Sequence, residues 1–394
     1  MNFDEDIWLQ QKKFVIFGAG TYGKKLVNLY ERYNIFFAFI DNDIKKQKTE
    51  YLNIPIISFK EYLNRYYNKY KIILACSIEN KEIIENQMTT ANLEPKVDFI
   101  YIDEFLDRFK YNFPYYSFKY FNQNYMNVAQ ISLTERCTLK CKKCAHGCYN
   151  VPNNAKDMDL SEVKKSADSF FAHIDYIEYF HLIGGEPFLY SDLSEAIIYI
   201  GENYRKQIKN FCITTNGTIL PKDDILKNIK KYIMKIMISN YSHTLPYLKS
   251  KYEKLLQKLN EYEIDYMFNE AELIWTDYGF DYVDRGFFKE GISEEKRKEN
   301  LQQVLTACKT PCREIRGNKL YYCIQARTCR ENMGFSVGQD DYLDLSKLDK
   351  SQKSKKILMD FEMGIFPKGY LDMCNYCNGG ERYKFPIPAA EQMK

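Results

Sequence analysis

Histidine is scarce, with four in 394 residues, and none belongs to a serine, histidine and aspartate pattern, so nothing marks a nucleophile triad. His173 and His243 read as structural residues, and the same reading holds by a smaller margin for His146, after the cysteine-rich loop, and for His181. An excess of one charge is also missing. With 56 Lys plus Arg against 53 Asp plus Glu, the net charge is +3, which gives no footprint for nucleic acid. No apolar run is long enough to span a bilayer. The opening MNFDEDIWLQ lacks the basic and apolar regions of a secretory signal. Internal repeats and low-complexity tracts are absent, and runs such as Lys353 to Lys356 read as solvated helix faces. These absences lead to the expectation of a cytoplasmic protein without nucleic-acid or membrane partners. What the chain does have is twelve cysteines, which in a reducing compartment point to metal or redox chemistry rather than a disulfide framework.

Three of them, Cys137, Cys141 and Cys144, stand in CTLKCKKC with the spacing CxxxCxxC, directly after the apolar stretch VAQISLTER. Thiolates are the usual ligands of iron–sulfur clusters, and a four-iron cluster given only three locally keeps one iron free. The spacing therefore suggests an open, reactive cluster at the end of a strand. About forty residues later come Gly184, Gly185, Glu186 and Pro187. CxxxCxxC followed by GGEP resembles the signature of the radical S-adenosylmethionine enzymes. The resemblance implies a 4Fe-4S cluster on the three cysteines, with S-adenosyl-L-methionine chelating the fourth iron. An electron then cleaves the sulfonium to a 5'-deoxyadenosyl radical, which takes a hydrogen atom from the substrate. It also implies an electron donor such as flavodoxin or ferredoxin.

On the family's pattern, Gly184 and Gly185 let the chain pass close to the methionine moiety, and Glu186 accepts its amino group. Thr215 and Asn216, in Thr214 to Gly217, and then Ser239 and Asn240, resemble polar strand ends that meet the cofactor, although Asn, Gly and Ser are also common turn residues. One departure is Lys143, where the family has an aromatic residue against the adenine.

The fold expected is α/β in three parts. Residues 1–105 alternate strands and helices, beginning with KFVIFGAG, and form a Rossmann-like parallel sheet. Its first turn, with Gly18, Gly20 and Gly23, is GxGxxG between strand and helix, and Asp41 ends the next strand where an acidic residue meets a ribose hydroxyl. A nucleotide site and a merely structural tight turn both fit. The order of elements is similar to small nucleotide-sugar-binding domains attached to sugar-modifying enzymes. Residues 106–126 are an aromatic segment broken by Pro114 and read as a buried linker. Residues 127–300 resume strand–helix units and fit a partial (β/α)6 radical barrel, with LIWTDYG as a further strand. CxxxCxxC, GGEP and Thr214 to Gly217 all fall at carboxyl ends of strands.

Residues 301–394 hold a second cysteine set, Cys308, Cys312, Cys323, Cys329, Cys374 and Cys377, with CREIRGNKLYYC as a hairpin and CNYC as a CxxC pair. The arrangement resembles the auxiliary-cluster extension called SPASM, or its shorter twitch form. That implies a small domain with a second 4Fe-4S cluster on Cys312, Cys323, Cys374 and Cys377, with Cys308 and Cys329 as substitutes. A four-cysteine zinc site has the same ligand types. Cys76, Cys148 and Cys212 read as buried small hydrophobes.

Together these readings describe an enzyme acting on a small molecule, with a sugar or nucleotide-sugar as the substrate class and oxidation or epimerisation as the outcome. Modification of a ribosomally made peptide is the rival within enzymes. A non-catalytic redox sensor or zinc-stabilised binding protein is the rival outside them.

Overall fold

In the first unit, short runs of apolar residues such as FVIF are buried on every position, the pattern of strands covered on both faces. The computed structural model describes residues 5–269, 273–277, 284–308, 310, 312–335, 341–366 and 368–393, and the chain divides into two compact units, 1–116 and 117–394. The first contains strands β1 (Phe14–Phe17), β2 (Phe36–Ile40), β3 (Glu50–Tyr51), β4 (Ile54–Ile57), β5 (Lys71–Leu74) and β6 (Phe99–Tyr101). Their order is β3-β4-β2-β1-β5-β6, parallel except for the β3–β4 pair, so the direction of winding reverses between β1 and β5. Helices α1 (Thr21–Tyr30), α2 (Phe59–Arg65) and α3 (Ile78–Thr90) connect them.

Helix α4 (Ile102–Phe121) takes up most of the expected linker. Phe105, Phe109, Phe113 and Tyr116 recur at helical spacing and are fully buried, with Phe105 and Phe109 edge-on to Phe14 of β1. Pro114 sits inside the helix without ending it.

The second unit is built on β7 (Tyr125–Thr134), β8 (Tyr176–Gly184), β9 (Ile208–Thr215), β10 (Met234–Ser239) and β11 (Asp265–Asn269). Helices α5 (Leu160–Phe171), α6 (Leu193–Tyr204), α7 (Asp223–Lys231) and α8 (Lys249–Glu261) alternate with them. Helix α5 starts just after Asp159, but that side chain reaches Lys156 instead of capping the helix. Further along come β12 (Ile274–Thr276), α9 (Glu294–Cys308), β13 (Cys312–Arg316), β14 (Lys319–Tyr321), α10 (Ile324–Glu331), β15 (Tyr342–Asp344), α11 (Gln352–Glu362) and β16 (Pro386–Pro388).

The large sheet has the order β11-β10-β9-β8-β7-β13-β14-β15. It is parallel from β11 to β13 and antiparallel beyond, so the CREIRGNKLYYC hairpin extends the barrel sheet from its β7 side. The expected strand LIWTDYG is β12, which pairs antiparallel with β16 outside that sheet; its residues 278–279 lie outside the described residues.

Register separates the two faces of the barrel sheet. The row Ile131, Leu182, Ile213, Ile236 is buried in the core, as is the row Ala129, Phe180, Phe211, Met234. Between them runs a row of opposite facing: Glu314, Gln130, His181, Cys212 and Lys235, directly paired across five strands. One face therefore packs on helices and the other carries polar groups.

Candidate active site at the carboxyl ends of the strands

Because β7 to β10 are parallel, the segments that follow them emerge at one edge of the sheet. The cysteine loop follows β7, GGEP ends β8, Thr215 and Asn216 end β9, and Ser239 and Asn240 end β10. Arg136 anchors the start of the loop. It donates to both oxygens of Asp157 at 2.8 and 2.6 Å and to the Leu189 carbonyl at 3.0 Å.

The glycines of GGEP serve this loop. A side chain on Gly184 would put its Cβ 2.2 Å from the Thr134 carbonyl oxygen, and one on Gly185 would lie 2.2 Å from that of Arg136 and 2.9 Å from Cys137 Cβ. The amides of Gly185 and Glu186 donate to the carbonyls of Thr134 and Arg136 at 2.8 and 2.9 Å. The close approach in the structure is thus to the cysteine loop itself.

Glu186, expected to receive an amino group, is fully buried and already engaged. Its oxygens accept from the Thr215 hydroxyl at 2.8 and 2.9 Å, from the Asn216 amide at 3.0 Å and from the Phe188 amide at 3.2 Å. Burial outweighs these bonds and pushes its carboxyl up to about 7. Glu186 ties the end of β8 to the end of β9. Pro187 begins the short 3-10 turn Pro187–Leu189 that follows. The Ser239 carbonyl accepts from the Tyr252 hydroxyl, and Asn240 Oδ1 accepts from the Ser242 amide. Lys143 has a left-handed backbone, φ 57°, and its ammonium lies 3.4 Å from Asp277.

Comparisons with known proteins find a family match over these strands. The radical SAM superfamily model covers residues 131–268, from β7 to β11. Those residues are a radical SAM domain. Over 93 residues the chain is 33% identical to a GTP 3',8-cyclase of Stenotrophomonas maltophilia, covering 24% of this chain and 27% of that protein. It is 31% identical over 112 residues to the antilisterial bacteriocin subtilosin biosynthesis protein AlbA of Bacillus subtilis, covering 28% of this chain and 22% of the other. The chain thus spans about a quarter of the length of the curated relatives it matches. Among solved structures, BtrN in complex with AdoMet and 2-DOIA is 17% identical, covering 66% of this chain and 98% of that one, with a TM-score of 0.36.

The cofactors of a radical SAM domain are a 4Fe-4S cluster and S-adenosylmethionine, and the residues present suit the cluster. Charge on Cys144 is felt by both Cys137 and Cys141, and charge on Cys137 by Cys141. N–H groups point at two of the sulfurs: Leu139 N and Asn216 Nδ2 at Cys137 Sγ, 3.4 and 3.5 Å, and Gln392 Nε2 at Cys141 Sγ, 3.2 Å. A thiol sulfur accepts weakly, whereas a metal-bound thiolate gains from each such donor. Burial pushes the metal-free thiols of Cys137 and Cys141 up to about 11 and about 12, so metal must displace protons there. Cys144 goes the other way, lowered because Cys148 hydrogen-bonds it and His146 lies nearby. Among the described residues no three His, Cys, Asp or Glu side chains stand close enough to share one metal ion. In a four-iron cluster each thiolate holds a different iron.

Within the second cysteine set the side chains are unequally coupled. Cys323, Cys374 and Cys377 are each raised by burial, and each is raised further by charge on Cys308. Cys312 stands apart. It pairs with Val128 in the sheet and is surrounded by Arg313, Glu314 and Glu362. Charge thus links Cys308, Cys323, Cys374 and Cys377, whereas Cys312 is perturbed by none of them. Helix α9 causes this, because its last turn packs against the segment after CNYC: a Cβ on Gly380 would lie 2.3 Å from the Ala307 carbonyl oxygen. The Gly379 amide donates to Cys377 Sγ at 3.3 Å, and Arg382 reaches Cys308 Sγ at 3.8 Å. Cys329 is buried in a small cluster with Met373. Asp341, missed by the sequence reading, accepts from the amides of Asp372 and Met373 and fixes the turn that carries Cys374. All twelve cysteines are free thiols.

In the first unit, Gly18 has φ +115°, and its Cβ would lie 2.5 Å from the Ala75 carbonyl oxygen. A Cβ on Gly20 would meet nothing within 4 Å. Asp41, expected at a ribose, closes the turn on itself: it accepts from the amides of Ala19 and Asp43 and pairs with Lys46 at 3.1 Å.

Proposed function

We propose that this chain is a radical SAM enzyme that abstracts a hydrogen atom from a polar small molecule, with a sugar or nucleotide-linked sugar as the substrate class and oxidation or epimerisation as the outcome. The observation that carries the reading is the row Gln130, His181 and Lys235 on the face of the barrel sheet opposite α5 to α8, bordered by Glu314, which pairs with Arg327 of α10 at 3.1 Å. These hydrophilic side chains in one register of the sheet suit a ligand rich in hydroxyl groups. Burial depresses His181 to about 4, so it is neutral, and its Nδ1 lies 2.9 Å from the Thr214 hydroxyl. A neutral imidazole can accept or donate one hydrogen bond.

When bound, the cluster and S-adenosylmethionine supply the hydrogen-abstracting radical. The protein's own residues hold and orient: Cys137, Cys141 and Cys144 as cluster ligands, Glu186 joining strand ends, and Thr215, Asn216, Ser239 and Asn240 lining the edge. Cys308, Cys323, Cys374 and Cys377 would hold an auxiliary cluster, and oxidation of an alcohol carbon needs such an electron acceptor. The open space at Gly20 leaves room for a phosphate against the amino terminus of α1.

The test uses the full chain, purified without oxygen. About eight irons per chain are expected for two four-iron clusters, with 5'-deoxyadenosine formed on reduction. Nucleoside diphosphate sugars should stimulate that release, and deuterium on the sugar should appear in the 5'-deoxyadenosine. A colourless zinc protein would sink the proposal. The AlbA relative favours one second reading, modification of a ribosomally made peptide. Stimulation by peptides and not by sugars would establish it.

A further inference from the structure

The segment Pro386–Met393 lies far from the cysteine loop in sequence but meets it through an antiparallel bridge. After β16 pairs with β12, the Ala389 amide donates to the Leu273 carbonyl, and Ala389 and Ala390 are fully buried. Ala390 has a left-handed backbone, φ 59°, which turns the chain toward the loop. Gln392 then bridges Cys141 in antiparallel fashion. The Lys142 amide donates to the Glu391 carbonyl, and the Met393 amide to the Lys140 carbonyl, both at 2.7 Å.

The Gln392 side chain is fully engaged. Its Oε1 accepts from the Lys140 amide at 2.8 Å. Its Nε2 donates to the Ala390 carbonyl at 2.7 Å and to Cys141 Sγ at 3.2 Å. An amide has two N–H groups, and both are used.

We infer that Gln392 is a positioning residue for the radical SAM cluster: it fixes Cys141 in the loop and, by donating to that sulfur, raises the cluster's reduction potential. The inference rests on the cluster assignment proposed above. The physical reason is charge. Reduction adds an electron to the cluster, and an N–H dipole aimed at a ligand sulfur stabilises the more negative state more than the less negative one. Hydrogen bonds to the sulfurs are among the determinants of cluster potential. The segment would thereby link electron uptake to a part of the chain outside the radical SAM domain.

The test measures the EPR signal that shifts when S-adenosylmethionine is added, which separates the open cluster from an auxiliary one. Gln392→Glu keeps the shape and the acceptor for Lys140 but replaces the donor with a negative oxygen; Gln392→Leu removes both. Each variant, loaded with wild-type iron, should show at least about a tenfold lower ratio of reduced to oxidised cluster at a fixed ambient potential, the effect of one hydrogen bond to a charged group. An unchanged ratio in both, at equal iron, overturns the inference. Should the variants fail to load or fold, wild-type protein labelled with 15N in its glutamine side chains decides. A 15N coupling to the reduced cluster is expected, and its absence overturns the inference. A wild type with no signal responsive to S-adenosylmethionine would remove the cluster reading and this inference together, whereas a loaded wild type with unchanged variants removes the inference alone.

Discussion

Glu186 is a carboxylate placed where water cannot reach it, held by one hydroxyl and two backbone amides. Those donors do not offset the loss of water, so its folded pKa is about 7 against an ordinary 4.5. The folded state thus holds the proton more tightly than the unfolded state. Stability from this group is complete below about pH 4.5 and is lost as pH rises to about 7. The loss amounts to about 3 kcal/mol. Cluster-free protein should therefore melt at a lower temperature at pH 8 than at pH 5, and Glu186→Gln should flatten that dependence. An equally steep profile in the variant would place the titration elsewhere. A different dependence holds for Cys137, Cys141 and Cys144. Alanine at any one should remove about half of the visible absorbance and of the iron and abolish 5'-deoxyadenosine formation, while far-ultraviolet circular dichroism stays unchanged. Any of the three that keeps its turnover would be no ligand.

At the scale of elements, the site depends on the end of β8 lying flat against the cysteine loop, and Gly185 permits it. Alanine there has nowhere to go, since its Cβ would overlap the Arg136 carbonyl, and backbone cannot move aside as a flexible side chain can. Gly185→Ala should lower iron from about eight toward about four per chain, with little change in secondary structure; full loading would show that the loop tolerates displacement. Such contacts also mark what the sequence could reveal. The strand–helix alternation, the cysteine spacing and GGEP are local patterns, and they carried the parallel sheets and the gathering of motifs at one edge. The helical spacing of Phe105, Phe109 and Phe113 is equally local, but Pro114 is a residue type that commonly breaks a helix, and here it does not. Glu186 and Asp41 were legible as residues but not as partners, because their donors come from a neighbouring strand end and from the turn's own amides. Gln392 left no local signal: its role depends on a pairing 251 residues apart in sequence.

For the whole molecule, the decisive question is how many irons it holds and on which sulfurs. Spacing alone favours Cys312, because it and Cys323 bracket a hairpin symmetrically. Sheet formation overrides that symmetry. Residue 312 is committed to β13 beside Val128, while the last turn of α9 brings Cys308 against the segment carrying Cys377. Packing between distant parts of the chain is thus the ground for the ligand proposed above. If the four gathered thiols hold a four-iron cluster, Cys308→Ala, Cys323→Ala, Cys374→Ala and Cys377→Ala should each reduce iron from about eight to about four per chain. The remaining cluster should still respond to S-adenosylmethionine, because its ligands lie on the separate loop after β7. Cys312→Ala should keep about eight irons per chain and lose only modest stability from a small cavity in the sheet. The reverse result, with iron halved by Cys312→Ala and untouched by Cys308→Ala, would mean that hairpin spacing, not the docking of α9, determines the auxiliary site.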